Sequence, residues 1–180
     1  MTQHPPLSAV RLVIGLGNPG EKYRRTYHNT GAAFLDRLAA PGPDGPPPAK
    51  KRRHFIYVKQ GGWTLAWPVM FMNESGIAVA EAARYFRVPP QAVLVVHDDS
   101  DLALGSFKFA FGAGAAGHRG VQSIIQTLGT KEFWRLRIGI RSHRGKAGTF
   151  VLRAPSADEW KTLQFALGAA SVKLTENCRP

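Results

Sequence analysis

The sequence contains a single cysteine, Cys178, close to its C-terminus. One thiol excludes an intramolecular disulfide and a metal site built from several cysteines, and it fits a reducing compartment. The N-terminal segment Met1–Pro6 lacks the charged-then-apolar pattern of a signal peptide. No apolar run reaches the roughly 18 residues that a membrane-spanning helix requires. We therefore expect a cytoplasmic protein that does not enter a membrane.

Acidic residues are scarce as well. The chain has 12 Asp and Glu against 24 Lys and Arg, which gives a formal net charge of +12. Such an excess favours a polyanionic partner, most simply a nucleic acid. The alternative is a basic surface that only faces solvent.

The length of 180 residues is enough for one domain with a substantial core. Strand and helix patterns alternate without an internal repeat, which predicts a single α/β domain with a mixed, twisted sheet and helices on both faces. We expect this domain to occupy residues 1–180 as a monomer, with loose termini at 1–10 and 175–180. The predicted strands are Arg11–Gly17, Phe55–Lys59, Trp63–Pro68, Ala92–Val96, Phe107–Phe111 and Trp134–Arg141. The predicted helices are Gly31–Ala40, Glu74–Arg87, Val121–Leu128 and Ala157–Leu174.

A glycine-rich turn, Gly15-x-Gly17-x-x-Gly20, follows the first apolar run and is typical of dinucleotide-binding proteins. Two features argue against that interpretation. Pro19 has no backbone N–H to offer a pyrophosphate, and Asp36, the acid at the required distance, falls inside a predicted helix. We favour a rigid turn that presents Asn18 beside a histidine, His28.

Three further clusters contain candidate functional side chains. Asn73 follows Met70–Met72 and is either the N-cap of the next helix or a ligand-binding side chain at a strand end. The segment His97–Asp101 follows a buried strand, where its three carboxylates could hold a divalent cation, or Asp98 could orient an imidazole. Gly117–Gly120 opens a helix, whose N-terminal N–H groups attract anions.

The sequence also lacks a Gly-x-Ser-x-Gly elbow, and its only cysteine is in the tail. A covalent acyl intermediate on serine or cysteine is therefore poorly supported. A histidine–aspartate pair that activates water is the simpler hydrolytic arrangement.

Taken together, these segments resemble the bacterial-type peptidyl-tRNA hydrolases, in the same order and spacing over roughly residues 11–170. The matching positions are Gly15–Gly20, Tyr23, Thr26, His28-Asn29, Phe71–Gly76, His97-Asp98, Gly117-His118, Gly120 and Arg135–Ile140. Each motif alone is weakly specific, whereas the combination is highly specific.

The resemblance implies hydrolysis of the ester that joins a peptide to tRNA, which recycles tRNA from peptides released by stalled ribosomes. It makes His28 the general base and Asp98 the carboxylate that orients it, and it implies no metal and no cofactor. The side chains implied to bind or surround the substrate are Asn18, Tyr23, Met72, Asn73, His118 and Arg119. The alternative is a catalytically weak or silent RNA-binding relative on the same fold.

The tRNA acceptor end is the implied nucleic-acid partner. Arg135, Arg137 and Arg141 share one strand parity, which predicts a basic stripe on one face of the sheet, with Lys108 beside it. The basic run Lys50–Arg53 is the alternative contact. Two positions depart from the family pattern: Arg119 replaces the usual asparagine, and Ala110 replaces a common lysine.

Overall fold

The computed structural model describes residues 4–43, 45–142 and 150–178, and within them the chain forms seven strands and four α-helices. The strands are β1 (Leu12–Gly15), β2 (Lys50–Lys51), β3 (Phe55–Gln60), β4 (Trp63–Pro68), β5 (Val93–Ala103), β6 (Phe107–Phe111) and β7 (Trp134–Arg141). The helices are α1 (Thr30–Leu38), α2 (Ser75–Phe86), α3 (Arg119–Leu128) and α4 (Ala157–Cys178).

The strands form one sheet in the order β2-β3-β4-β1-β5-β7-β6. The four strands β4, β1, β5 and β7 are mutually parallel, whereas β3 and β6 pair antiparallel with β4 and β7. The continuous apolar sequences of β1 and β5 suit the centre of such a sheet, which is covered on both sides. The predicted mixed sheet is confirmed.

Apolar residues cover both faces of the sheet. One cluster joins Val13, Val96 and Leu136 to α1 and α4, and a second joins Ile14 and Val95 to α2 and α3. Because neighbouring residues of a strand point to opposite faces, each central strand contributes to both clusters. The predicted helices on both faces are confirmed.

Helix α1 approaches the sheet closely at Gly31. A Cβ at this position would lie 2.2 Å from the carbonyl oxygen of Val96, so only glycine fits. The Ala32 N–H donates to the carbonyl oxygen of Leu16 at 2.9 Å, which fastens the start of α1 to the segment that follows β1. The residues just before α1 are therefore held at the carboxyl ends of β1 and β5, where ligands bind in α/β proteins.

Strand β5 extends well beyond Val96, where the apolar pattern predicted its end. His97, Asp98 and Asp99 continue the ladder with β7, and Asp98 lies opposite Ile138. Polar residues persist in this buried strand because the aspartates have buried partners, described below. The predicted end of this strand at Val96 is therefore wrong.

The chain ends also differ from the expected loose segments in the part of the chain that the structure describes. Helix α4 continues to Cys178, and the Cys178 thiol donates to the carbonyl oxygen of Leu7 at 3.2 Å. Val10 is fully buried. None of the described helices is both long and apolar enough to cross a membrane.

Candidate active site

A buried histidine–aspartate pair lies where α1 meets the sheet. His28 belongs to a 3₁₀ turn, Tyr27–Asn29, directly before α1, and Asp98 lies on β5. The Nδ1 atom of His28 is 2.9 Å from Oδ1 and 3.0 Å from Oδ2 of Asp98. The exposed fractions of the two side chains are 12% and 3%. The fold therefore brings together two residues that are 70 positions apart in the sequence.

A second histidine contacts the same carboxylate. His118 is the N-cap of α3, and its Nδ1 accepts from the N–H groups of Gly120 and Val121 at 3.2 and 3.3 Å. An imidazole nitrogen that accepts carries no proton, so the proton of the neutral ring is on Nε2. Nε2 therefore donates to Oδ1 of Asp98, at 3.0 Å.

These contacts keep Asp98 ionised. Burial alone would raise the pKa of Asp98, but His118 and His28 outweigh burial and hold that pKa well below its ordinary range. An ionised carboxylate accepts the proton of His28 Nδ1–H. In the neutral imidazole, the lone pair is then on Nε2, the nitrogen that a general base uses.

His97 supports the strand and does not join the catalytic pair. Burial, followed by the neighbouring His118, lowers the pKa of His97 to about 3. The ring is therefore neutral, and its Nδ1–H donates to the backbone carbonyl of Asp98 at 2.6 Å. Its ring centroid is 4.7 Å from that of His118, which packs the two imidazoles edge to face.

Asn18 is fixed by three hydrogen bonds. Its backbone N–H and carbonyl are paired with the side-chain amide of Asn29 at 2.8 and 3.0 Å. Its own Oδ1 accepts from the N–H of Met72 at 2.8 Å. The acceptor of the Asn18 side chain is thus occupied, and the Nδ2 donor is left for a ligand. The glycine-rich turn is rigid because the second asparagine closes it.

Asn73 does not cap α2. It lies within a 3₁₀ turn, Met72–Glu74, its side chain is exposed, and Glu74 occupies the cap position of α2 without a side-chain hydrogen bond. The interpretation of Asn73 as an N-cap is therefore wrong, because the turn moves the start of the helix one residue onward, from Glu74 to Ser75. Its amide is available at the rim of the cleft.

A cleft of about 400 Å³ joins these side chains. The sequence-predicted residues among its lining are Asn18, Tyr23, His28, Met72, Asn73, Asp98, His118 and Arg119. Met72 forms part of the buried floor, whereas Arg119 is exposed at the first residue of α3. All eight predicted catalytic and substrate-binding positions thus surround a single cavity.

Comparisons with known proteins agree with this geometry. A family model described as peptidyl-tRNA hydrolase matches residues 12–178. A peptidyl-tRNA hydrolase of Coxiella burnetii is 41% identical over 152 residues, covering 83% of this chain and 81% of its own length. One from Nitratidesulfovibrio vulgaris is 42% identical over 182 residues, covering 94% and 90%. The crystal structure of peptidyl-tRNA hydrolase from Acinetobacter baumannii superposes with a TM-score of 0.83 at 29% identity, covering 95% of this chain and 89% of that one. The chain belongs to the peptidyl-tRNA hydrolase family.

The cleft of this peptidyl-tRNA hydrolase family member includes residues that sequence reasoning missed. Phe71 is half exposed and packs edge to face against Tyr23, with ring centroids 6.4 Å apart. Val151 and Leu152 also line the cleft, and the carbonyl of Val151 accepts from the N–H of His28 at 2.8 Å. Phe71 belongs to the family-like segment Phe71–Gly76, so a signal was present, whereas nothing in the sequence links Val151 to His28.

The residues of the predicted basic stripe do not all lie on the surface. Arg135 is 2% exposed, and its Nη1 donates to the carbonyl of Gly114 at 2.7 Å. Burial, followed by the nearby Arg137, lowers the pKa of Arg135. Arg135 is therefore an internal brace for the loop before α3, because the strand face that it shares is covered there. Its assignment as a surface contact for tRNA is corrected.

Arg137 is also engaged. Its Nε donates to Oδ2 of Asp99 at 2.5 Å, and its side chain is 19% exposed. Lys108 lies directly opposite Arg137 in the β6–β7 ladder and is exposed, as is Arg141. Fewer exposed cations therefore lie along β6 and β7 than the predicted basic stripe contained.

The aspartates of His97–Asp101 do not converge on one point. Asp98 faces the two imidazoles, Asp99 pairs with Arg137, and Asp101 is exposed. Among the described residues, His28, Asp98 and His118 are the group whose ligand atoms are mutually close enough to hold a metal ion. Their separations of 2.9–3.0 Å are those of direct hydrogen bonds, in which both imidazoles donate. A metal ion would have to displace both protons.

Proposed function

We propose that this chain hydrolyses the ester bond between the peptide and the tRNA in peptidyl-tRNA, with water activated by His28. The observation that supports this most directly is the pair of contacts, 2.9 and 3.0 Å, between His28 Nδ1 and Asp98. They orient the imidazole, favour the tautomer with a free Nε2, and stabilise the imidazolium that forms during the reaction. The same pair, intact and in a cleft, argues against a catalytically silent RNA-binding relative.

The reaction proceeds by direct attack of water. His28 Nε2 accepts a proton as the water oxygen bonds to the ester carbonyl carbon. The bond from that carbon to the ribose oxygen then breaks, and the leaving oxygen takes the proton back from His28. General-base catalysis of this kind contributes about 10²–10⁴-fold to the rate. An ester is already activated, so a positioned base and hydrogen-bond donors suffice.

Asn18 supplies a donor for the substrate. Because its Oδ1 accepts from Met72, the free atom is Nδ2, which suits a carbonyl oxygen. Such a donor, fixed before the substrate arrives, stabilises the negative charge that develops on that oxygen, and one donor contributes about 10²–10³-fold. Asn73, exposed at the rim, offers both a donor and an acceptor to the peptide backbone.

These amides also predict a preference for peptidyl-tRNA over aminoacyl-tRNA. A free α-ammonium group has no peptide carbonyl to accept from the amide donors, which leaves polar groups of the site unpaired. The apolar walls at Met72, Tyr23 and Phe71 accommodate side chains of varied size. No metal and no cofactor takes part in this proposal.

The tRNA acceptor end lies along the rim in this proposal. Arg119 is exposed beside the cleft at the N-terminus of α3, where its guanidinium can bind a phosphate and the helix dipole favours negative charge. His118 acts through Asp98 and does not contact the substrate, since both of its ring nitrogens are engaged. We further propose action in the cytoplasm as a monomer, because one chain supplies the whole site.

The decisive experiment compares wild type and His28→Ala in hydrolysis of a labelled peptidyl-tRNA. We expect His28→Ala to lose turnover by about 10²-fold or more while it still binds deacylated tRNA. His4→Ala is the control, because it also removes an imidazole. The His4 ring packs against Trp134, whereas the His28 ring contacts a carboxylate. Full activity in His28→Ala would remove His28 as the base. A wild-type protein that binds tRNA without cleaving the substrate would favour the silent relative.

A further inference from the structure

The predicted stripe accounts for little of the net charge of +12, because Arg135 is buried and Arg137 is paired. Other exposed lysines and arginines are therefore available to bind a polyanion. Among the described residues, one concentration of exposed cations lies around Tyr85, at the edge of the sheet formed by β2. We name it the β2–α2 patch. Its members are Lys50, Lys51, Arg52, Arg53, Arg84, Tyr85 and Arg87, all of them exposed.

The cations of the β2–α2 patch are not neutralised. In the described parts of the chain, none of its six lysines and arginines forms an ion pair with a carboxylate. The nearby acid Glu81 is instead paired with His54, through Nδ1, at 2.5 Å. The patch therefore keeps its full positive charge toward solvent.

An exposed aromatic ring lies within this charge. Tyr85 is 46% exposed, and the guanidinium carbon of Arg52 lies 4.3 Å above the centroid of its ring. Tyr57 and Phe86 also pack against the ring in tilted and edge-to-face geometry, at centroid distances of 6.2 and 4.8 Å. A guanidinium stacked on an aromatic ring keeps its N–H edge free for a phosphate, and a flat ring accepts an unpaired base.

The patch is held in place before any ligand binds. The Arg52 N–H donates to the carbonyl of Phe55 at 2.8 Å, which closes the short turn between β2 and β3. The Val69 N–H donates to the carbonyl of His54 at 2.9 Å, and the His54 ring contacts Glu81 of α2. Little freedom of the β2–β3 turn is therefore lost when this surface binds a partner.

The topology places the patch on the same end of the sheet as the cleft. Strand β3 runs antiparallel to both β2 and β4, so β2 runs parallel to β1. The turn that follows β2 thus lies at the end where β1 and β5 lead into Asn18 and Asp98. Three strand spacings separate β2 from β1, which amounts to about 14 Å.

We propose that the β2–α2 patch is a second contact surface for the tRNA of the substrate, in which Arg52 and its neighbours bind the phosphate backbone and Tyr85 stacks on an unpaired base. This inference rests on the proposed hydrolysis of peptidyl-tRNA. Part of the tRNA binding that the sequence predicted for the arginines of β7 is thereby assigned to the sheet edge at β2. The partner is RNA because the patch combines free cations with an exposed, supported ring.

The test measures binding of deacylated tRNA over a series of salt concentrations, and cleavage of two substrates, peptidyl-tRNA and a peptidyl ester of the terminal adenosine alone. The variants are Arg52→Gln, Tyr85→Leu and Tyr85→Phe. The control is Lys59→Gln, which removes an exposed charge from the other end of β3. Circular dichroism melts verify that each variant is folded.

We expect Arg52→Gln to weaken tRNA binding and to reduce the slope of log affinity against log salt by about one unit or somewhat less. Tyr85→Leu weakens binding roughly five-fold or more, whereas Tyr85→Phe keeps the ring and binds as wild type does. Both weakening variants raise KM for peptidyl-tRNA and leave cleavage of the short ester unchanged.

Unchanged tRNA affinity and salt slope in Arg52→Gln and Tyr85→Leu would overturn the proposal. An equal effect of Lys59→Gln would overturn it too, because it would show a response to net charge alone. Weaker binding to phosphatidylserine vesicles with unchanged binding to tRNA would assign the patch to lipid instead. A wild-type protein that cleaves neither substrate would contradict the proposed function, while the binding measurements would still test the patch.

Discussion

His118 joins the start of α3 to Asp98 through one imidazole ring. Nδ1 accepts from the first free N–H groups of the helix, and Nε2 donates to Asp98 Oδ1 at 3.0 Å. The same carboxylate accepts from His28 on its other side. The position of the proposed base therefore depends on a helix cap, and the two functions of His118 can be separated by substitution.

His118→Asn separates them. Asparagine is a good N-cap, so α3 remains capped, but its short side chain does not reach Asp98. We expect His118→Asn to keep the melting temperature of wild type and to lower kcat on the order of ten-fold, since a hydrogen bond to a charged group is lost. His118→Ala loses the cap as well and should cost about 1 kcal/mol of stability.

The measurements are thermal melts and single-turnover cleavage of peptidyl-tRNA for both variants. If His118 contacts the substrate instead of Asp98, KM will rise in both variants while kcat is retained. If the ring only caps α3, His118→Asn will be fully active.

Asn18→Asp tests which atom of Asn18 acts on the substrate. Aspartate keeps an oxygen to accept from the Met72 N–H, so the turn should remain intact, but it replaces the Nδ2 donor with a second acceptor. We expect cleavage to fall by about 10²–10³-fold with the melting temperature preserved. Asn18→Ala should lower both activity and stability. Near-normal cleavage by Asn18→Asp would show that the donor is not used.

The sequence predicted the fold well because its signals were local. Alternating strand residues at Phe107–Phe111 and Trp134–Arg141 correspond directly to β6 and β7, and the predicted strands Phe55–Lys59 and Trp63–Pro68 correspond to β3 and β4. The predicted end of β5 was wrong, because the apolar pattern stops at Val96 while the pairing with β7 continues through Asp99. Long-range partners stabilise those polar residues in a strand, and the local pattern does not contain them.

The candidate site was predicted at the level of residues but not of roles. Motif resemblance identified His28, Asp98 and Asn18, which line one cleft. It could not reveal that Arg135 is buried, since parity shows only which face a side chain points to, not what covers that face. Nor could it show that Asn18 Oδ1 is already occupied, because Met72 lies 54 positions away.

Activity should not depend on a metal ion. The three ligand-like residues of the cleft are joined by direct hydrogen bonds, and the proposed reaction needs only water and His28. We therefore expect unchanged cleavage of peptidyl-tRNA after dialysis against EDTA, with the tRNA kept folded by monovalent salt. Loss of activity that Mg²⁺ or Zn²⁺ restores at constant tRNA structure would favour metal-assisted hydrolysis. A parallel measurement with the short peptidyl ester removes any effect of metal on tRNA.

Arg137 pairs with Asp99, so its predicted role in tRNA binding must be separated from its effect on stability. Burial would raise the pKa of Asp99, but the hydrogen bond from Arg137, the backbone N–H of Asp101 and the charge of Arg137 together outweigh burial and lower it. A carboxyl whose pKa is lower in the folded state stabilises the fold above its unfolded pKa, and this contribution is lost as pH falls through the folded pKa. Arg137→Gln should therefore destabilise the protein by roughly 1–3 kcal/mol at pH 7.

The pH dependence of that loss identifies its cause. As pH falls from about 4, the pKa of an ordinary aspartate, towards the lower folded pKa of Asp99, the stability difference between wild type and Arg137→Gln should shrink. Urea unfolding at pH 7 and at a series of pH values below about 4 measures this change. Arg141→Gln, which removes an exposed charge from the end of the same strand, should stay within about 0.5 kcal/mol of wild type. Equal stability of Arg137→Gln and wild type at pH 7 would contradict the expected role of the Asp99 pair.

A double variant, Asp99→Asn with Arg137→Gln, then tests the contact with tRNA alone. It removes the unpaired buried charge, so most of the lost stability should return, whereas the guanidinium remains absent. The Nε atom of Arg137 is the one bonded to Asp99, and the side chain is 19% exposed, so its terminal nitrogens can still reach a phosphate. If they do, the double variant binds tRNA more weakly than wild type, with a salt slope smaller by about one unit or somewhat less. A stable double variant with unchanged affinity and slope would limit Arg137 to a structural role and leave Arg119, Lys108, Arg141 and the β2–α2 patch as the basic contacts.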